Sequence, residues 1–238
     1  MMNGVTEVEK AFASAWFADP ECPLAFDPND SQQWQGIRKL MRKTAYHEAG
    51  HYVAKCFTGL EFSHVMLLSI IPDEINNGRI RCERCIAECT LESSPASLQR
   101  CNGRMLLLEH LAGTGVEMRI DDEAEGCESI LDYWGDDFFD DREEEGTDQF
   151  RAFRIATIMK KPYMPAQRIL NLADKWTMEM LTIPVVWNAV ETFAGKLLEL
   201  GEIKGEELIN IVYTSMEEGF KVPLYLSLPK WRRRLLPR

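Results

Sequence analysis

Long apolar runs are missing from this sequence. No stretch reaches the roughly 20 apolar residues that cross a bilayer as a helix, and the opening MMNGVTEVEKAFASAWF lacks the basic start and apolar centre of a signal peptide. Positive charge is scarce: 27 Lys and Arg stand against 38 Asp and Glu, for a formal net charge of -11 and a pI near 5.0. So acidic a chain is a poor partner for nucleic acid. There is no G-x-x-x-x-G-K-[ST] phosphate loop, which excludes the usual cradle for ATP. No internal repeat and no low-complexity tract is present. The seven cysteines are odd in number and scattered, so reduced thiols in a cytoplasmic protein are the expectation. Histidine is rarest of all. Of four in 238 residues, two stand four apart.

What is there suits an ordinary globular chain, 45% hydrophobic and 27% charged, of a length for one domain or two small ones. Residues 1–30 read as a peripheral N-terminal extension, because DPECPLAFDPND is rich in Pro and Asp. A helix is expected from Ser31 to about Phe57, with Ile37, Leu40, Met41, Thr44, His47, Glu48 and His51 near one face and Gly59 as its stop. FSHVMLLSIIP reads as a strand, and RIRCERCIAEC after the turn candidate INNG as its hairpin partner. Ser94-Pro95 opens a second helix through about Val116. Residues 117–148 hold fifteen Asp and Glu against two Arg. They read as an acidic insertion (117–147), a solvated loop with one short helix. Helices follow over 147–160, 163–180 and 184–200, and GEIKGEELINIVYTSM reads as a last one. The basic end PKWRRRLLPR reads as a solvated tail. The fold class expected is mainly α, with a small β-sheet or hairpin beside the helix that carries the histidines.

That helix contains TAYHEAGHYV. Residues four apart on a helix lie one above the other, so His47 and His51 point the same way with Glu48 beside them. HExxH on a helix is a zinc pattern: two imidazoles ligate, a third protein ligand completes the set, and a fourth position stays open for water. Zinc lowers the pKa of that water, and the glutamate accepts its proton. Small Ala49 and Gly50 are expected to keep the metal side of the helix open. The third ligand must come from later in the chain. Thr147 is a natural N-cap, which sets Asp148 in the first turn of the next helix, where the dipole favours a carboxylate. Asp121, Asp122 and Glu117 are its rivals. Glu117, on the preceding helix, suits a group that holds a ligating histidine.

HEAGH preceded by TAY resembles the peptidase domain of the FtsH family, the ATP-dependent zinc proteases. SHVMLLSIIP is similar to that family's strand after the motif, LLLEHLAGTGVEMRI to its helix ending in a Gly-rich acidic stretch, EGTDQFRAFRIATIMK to its Asp-bearing helix, and LLELGEIKGEELINIV to its closing segment. The likeness spans roughly residues 40–213 in order. It implies a zinc peptidase domain over 31–238, with Zn2+ held by His47, His51 and Asp148, Glu48 as catalytic base, and Glu117 on the first of the family's paired glutamates. Departures are clear. Thr114 and Met118 stand near the places of the family's Arg and second Glu, the acidic insertion has no counterpart, and no ATPase or membrane segment is seen. Unstructured polypeptides, or delivery by a separate ATPase or adaptor, are therefore expected. The family's ring of six carries over to this chain as an open question, so the oligomeric state stays undetermined.

Two other readings stand beside the peptidase. One is a non-enzymatic or regulatory zinc-binding protein on the same scaffold, against which Glu48 weighs, since a degenerate protease is expected to lose its base first. The other is a processing protease of narrow specificity. Cys82, Cys85, Cys89 and Cys101 raise the question of a second, structural zinc. A full site would want a second close pair, so reduced thiols along a hairpin are the plainer reading. His64 lies in the strand beside the expected cleft, where a minor role in substrate contact is its expectation. His110, in an apolar helix, reads as a satisfied polar residue. Tyr46 and Tyr52 read as packing.

Overall fold

The computed structural model describes residues 5–18, 26–58, 65–71, 79–82, 96–121, 124, 126–135, 147–160, 162–204, 207, 208 and 211. The chain is mainly helical over these residues. Helix α1 (Glu7–Phe17) opens with a reciprocal cap. The Glu9 amide donates to the Thr6 hydroxyl at 3.1 Å and the Thr6 amide to the Glu9 carboxylate at 2.6 Å, satisfying two amides that the first turn leaves unpaired. Its Phe12 and Ala13 are fully buried in the main core. Residues 1–30, expected at the periphery, thus contribute a helix anchored in the interior. The helix is short, 11 residues, and is followed by a stretch rich in Pro and Asp.

Helix α2 (Ser31–Thr58) runs 28 residues and is the axis of the molecule. Ile37, Met41, Ala45, Ala49, Tyr52 and Cys56 repeat every three or four positions and are all buried, the stripe that a core-facing helix requires. Tyr52 packs edge-on against Phe193, and Tyr46 lies against Trp187. Helix α3 (Ala96–Ile120) crosses α2 closely. A Cβ on Gly50 would stand 2.7 Å from the carbonyl oxygen of Ala112, nearer than any real contact. Gly50 and Ala49 were expected to clear the metal side of α2. Instead Gly50 lets the backbones of α2 and α3 meet, and Ala49 is packed in the core. This close contact fixes what α3 can offer to the histidines.

Short helix α4 (Ile130–Trp134) lies within the acidic stretch, and its Ile130 is fully buried in a second cluster with Leu107, Leu111, Ile155 and Leu170. Helix α5 (Asp148–Met159) and helix α6 (Ala166–Leu181) pack on α3, and helix α7 (Pro184–Leu200) packs on α2. The sheet is small: β1 (Val65–Ser69), β2 (Arg79–Cys82) and β3 (Glu202–Lys204), in the order β2-β1-β3 with both neighbours antiparallel to β1. Leu68 is opposite Ile80 on one side and Ile203 on the other.

Strand β3 corrects an expectation, since GEIK was assigned to a last helix. Gly201 closes α7 with φ +77°, a backbone state that costs glycine little. Beyond it Ile203 is buried between exposed Glu202 and Lys204. That alternation has the period of a strand, not of a helix. Strand β1 is therefore central, and its edges are taken on both sides. Among the described residues no helix is long and apolar enough to cross a membrane.

Phe12 tests whether the N-terminal helix belongs to the folded unit. Phe12→Ala should lower the unfolding free energy by about 3–5 kcal/mol, the usual cost of removing a buried aromatic side chain, as read by urea denaturation. A loss well under about 1 kcal/mol, typical of surface positions, would return residues 1–30 to the periphery.

Candidate metal centre

The middle of α2 supplies His47 and His51, one turn apart, with their rings 4.5 Å between centroids. Asp148 comes from the first turn of α5. Thr147 caps that helix, its hydroxyl accepting from the Phe150 amide at 3.2 Å, so the Asp148 carboxylate sits where amides are unpaired and the dipole is favourable. One donor atom from each of the three residues lies within 4.8 Å of the others. The Nε2 atoms of His47 and His51 are 2.8 Å apart, and Oδ2 of Asp148 is 3.2 Å from the first and 2.8 Å from the second.

The outer nitrogens decide the tautomers. Nδ1 of His51 is 2.7 Å from the carbonyl oxygen of Glu109. A carbonyl only accepts, so the proton is on Nδ1 and a neutral ring presents a bare lone pair at Nε2. Nδ1 of His47 lies 2.8 Å from Oε1 of Glu117. The contact is off the line of a good hydrogen bond, since no partner meets bonding geometry at that nitrogen, but its ion-pair distance and the acceptor-only carboxylate favour the same tautomer. Two lone pairs and a carboxylate oxygen then converge with no proton among them. Such a cluster repels itself unless a cation joins it.

The electrostatics agree. Burial alone would lower the pKa of His47, yet Asp148 and Glu117 raise it well above its ordinary value. Burial also works against His51, and again Asp148 prevails and raises it. Partial burial would raise the pKa of Asp148, but His51, His110 and His47 hold its carboxyl well below the usual range. Two imidazoles and a carboxylate are a donor set for a divalent transition metal. Space for it is kept by Gly113 of α3. A Cβ there would lie 2.5 Å from Nε2 of His51 and 2.8 Å from Nε2 of His47. The residues present therefore fit a metal ion.

Glu48 is 8% exposed. Burial raises its pKa, while His47 and His51 pull it down. Among the described residues its carboxylate makes no hydrogen bond or ion pair. Glu117 bridges outward to Lys43, whose Nζ is 3.5 Å from Oε2 of Glu117, 3.4 Å from Oδ2 of Asp121 and 2.9 Å from the Tyr133 hydroxyl. Burial would lower the Lys43 pKa, but the Tyr133 hydroxyl and the two carboxylates raise it. Asp121, a rival for the third ligand, is engaged with Lys43 and Tyr133. Asp122, His64, Cys85 and Cys89 fall outside the described residues, as do the side chains of Cys82 and Cys101.

The structure thus brings together His47, His51, Asp148 and Glu117, it adds residues that the sequence did not single out, and it gives His110, read as a satisfied polar residue, its partner. Gly113 shapes the cavity. Lys43 and Tyr133 brace Glu117. His110, buried on α3, has Nδ1 3.0 Å from Oδ1 of Asp148. One signal for these was in the sequence: His110, Gly113 and Glu117 are spaced by three and four, so one face of α3 carries them all. No family model and no curated protein matches the chain. The likeness to FtsH-type peptidases therefore rests on the HEAGH motif and on the order of the segments after it.

Replacing the carboxylate oxygen that faces both imidazoles tests the donor set. Asp148→Asn should weaken metal binding at least about tenfold, the scale at which even groups behind the ligands act, while Asp122→Asn should leave it nearly unchanged. Competition titration against a chromophoric chelator measures both, and the opposite ranking would move the third ligand into the acidic stretch.

Proposed function

We propose that the chain is a zinc-dependent metalloendopeptidase of FtsH-peptidase type that hydrolyses peptide bonds in unstructured polypeptides. The observation that carries this reading is Glu48. A buried carboxylate with no described protein partner, under the direct influence of His47, His51 and Asp148, is costly unless something uses it. A general base must be free to take a proton, and burial that raises its pKa moves it toward the working pH.

His47, His51 and Asp148 would hold the metal, with Glu117 and the Glu109 carbonyl orienting the two rings from behind. Zinc bound there would supply Lewis-acid polarisation of a peptide carbonyl and lower the pKa of a water toward neutrality. Glu48 takes the water's proton and delivers it to the leaving amine, so one carboxylate serves as base and then acid. Ferrous iron also accepts two histidines and a carboxylate. The partnerless base beside the donors favours hydrolysis over oxygen chemistry, and it likewise favours an enzyme over a non-enzymatic zinc protein.

Extended polypeptide binds by adding to a free sheet edge. Among the described residues strand β1 is flanked on both sides, so the outer edge of β2 or β3 would take that role. Folded substrates would need a separate ATPase or adaptor to deliver them, because the sequence carries no phosphate loop. The active protein is read as cytoplasmic.

Glu48→Gln separates chemistry from metal binding. The variant should keep its fold and its metal content, and it should lose hydrolysis of an unfolded protein such as casein, as a chelator does to the wild type. Turnover that survives the substitution at a similar rate would remove Glu48 from the reaction.

A further inference from the structure

Each of the three candidate ligands meets one further group, and all three groups come from α3. The Glu109 carbonyl meets His51, Glu117 meets His47, and His110 meets Asp148. The first two orient imidazoles. The third contact is of a different kind, a buried imidazole set against a carboxylate. We propose that His110 is a positioning residue for Asp148: its Nδ1–H donates to Oδ1 and keeps Oδ2 turned toward the two Nε2 atoms.

Three observations support this. First, the two oxygens of Asp148 have separate duties. Oδ2 lies 2.8 and 3.2 Å from the imidazole nitrogens, and Oδ1 lies 3.0 Å from His110. A carboxylate free to rotate could exchange them or present both. Second, His110 is 7% exposed, so water competes little for the contact and the bond is strong for its type. Third, His110 faces the oxygen turned away from the imidazoles, and it is not among the donors that converge. It is the partner of a ligand and not a fourth ligand. Helix α3 packs on both α2 and α5, so His110 also ties the carboxylate of one helix to the wall that the histidines share.

The proposal rests on the metal reading above, and its test reads metal binding rather than turnover. His110→Asn keeps an amide N–H near the place of Nδ1. His110→Gln carries its amide one carbon further, past Oδ1. His110→Phe keeps a ring and removes the donor. Zinc and cobalt(II) affinities are measured by chelator competition, the visible spectrum of the cobalt(II) form is recorded, and far-UV circular dichroism of the metal-free variants checks the fold. The Asn variant should keep wild-type affinity and cobalt spectrum. The Gln and Phe variants should bind at least about tenfold more weakly, with shifted cobalt bands, and either one alone suffices if the other does not fold. Wild-type behaviour of the Gln or Phe variant overturns the proposal, and so does equal loss in Asn and Gln, which would make His110 a ligand or a packing residue. Wild-type protein that binds neither metal overturns the metal reading as well. Wild-type protein that binds metal without cleaving casein removes the peptidase reading alone.

Discussion

The structure turns on three electron-rich atoms that face one another. Nε2 of His47, Nε2 of His51 and Oδ2 of Asp148 lie 2.8 to 3.2 Å apart, and the groups behind the rings leave the inner nitrogens unprotonated when the imidazoles are neutral. Charge repulsion of that kind does not persist in a buried site without a cation. Against the effect of burial, Asp148 and Glu117 raise the pKa of His47, and Asp148 that of His51, above the ordinary value. A divalent metal held there would satisfy the same demand with neutral rings, and its binding would displace protons.

That convergence depends on how closely two helices approach. Gly50 and Gly113 both sit on the contact between α2 and α3. The first allows the backbone of α3 to touch α2, and the second leaves room for the imidazoles. With the helices this close, one face of α3 can carry the Glu109 carbonyl, His110 and Glu117 to three different ligands. Side chains in such an arrangement keep few rotamers, so the ligands are largely preorganised and a metal need not pay to order them. Lys43, Tyr133 and Asp121 extend the bracing outward and join the short helix of the acidic stretch to the centre.

Local, strongly periodic features were legible from the sequence. The spacing of His47 and His51 and the N-cap at Thr147 follow from helix geometry alone, and so does the burial of Ile37, Met41 and Tyr52. Features that depend on helix-to-helix distance were not. Gly50 was misassigned because smallness in a sequence does not say which neighbour uses the space. His110 is the satisfied polar residue it was read as, but its partner, 38 positions away, was not legible. Strand β3 was taken for helix because EIK is too short for periodicity to decide, and its pairing with β1 spans more than 130 residues. The helix over 7–17 is too short, at 11 residues, for its periodicity to stand out beside the Pro-rich stretch that follows. The proposed likeness to zinc peptidases rests on the motif and its context rather than on the fold as a whole.

X-ray absorption at the metal edge tests the central claim most directly. Protein purified without added metal should hold about one zinc per chain, surrounded only by nitrogen and oxygen near 2.0–2.1 Å, with the outer-ring scattering that two imidazoles produce. A sulfur shell near 2.3 Å would place the metal at Cys82, Cys85, Cys89 and Cys101. That result, or the absence of stoichiometric metal, would contradict a centre built from His47, His51 and Asp148.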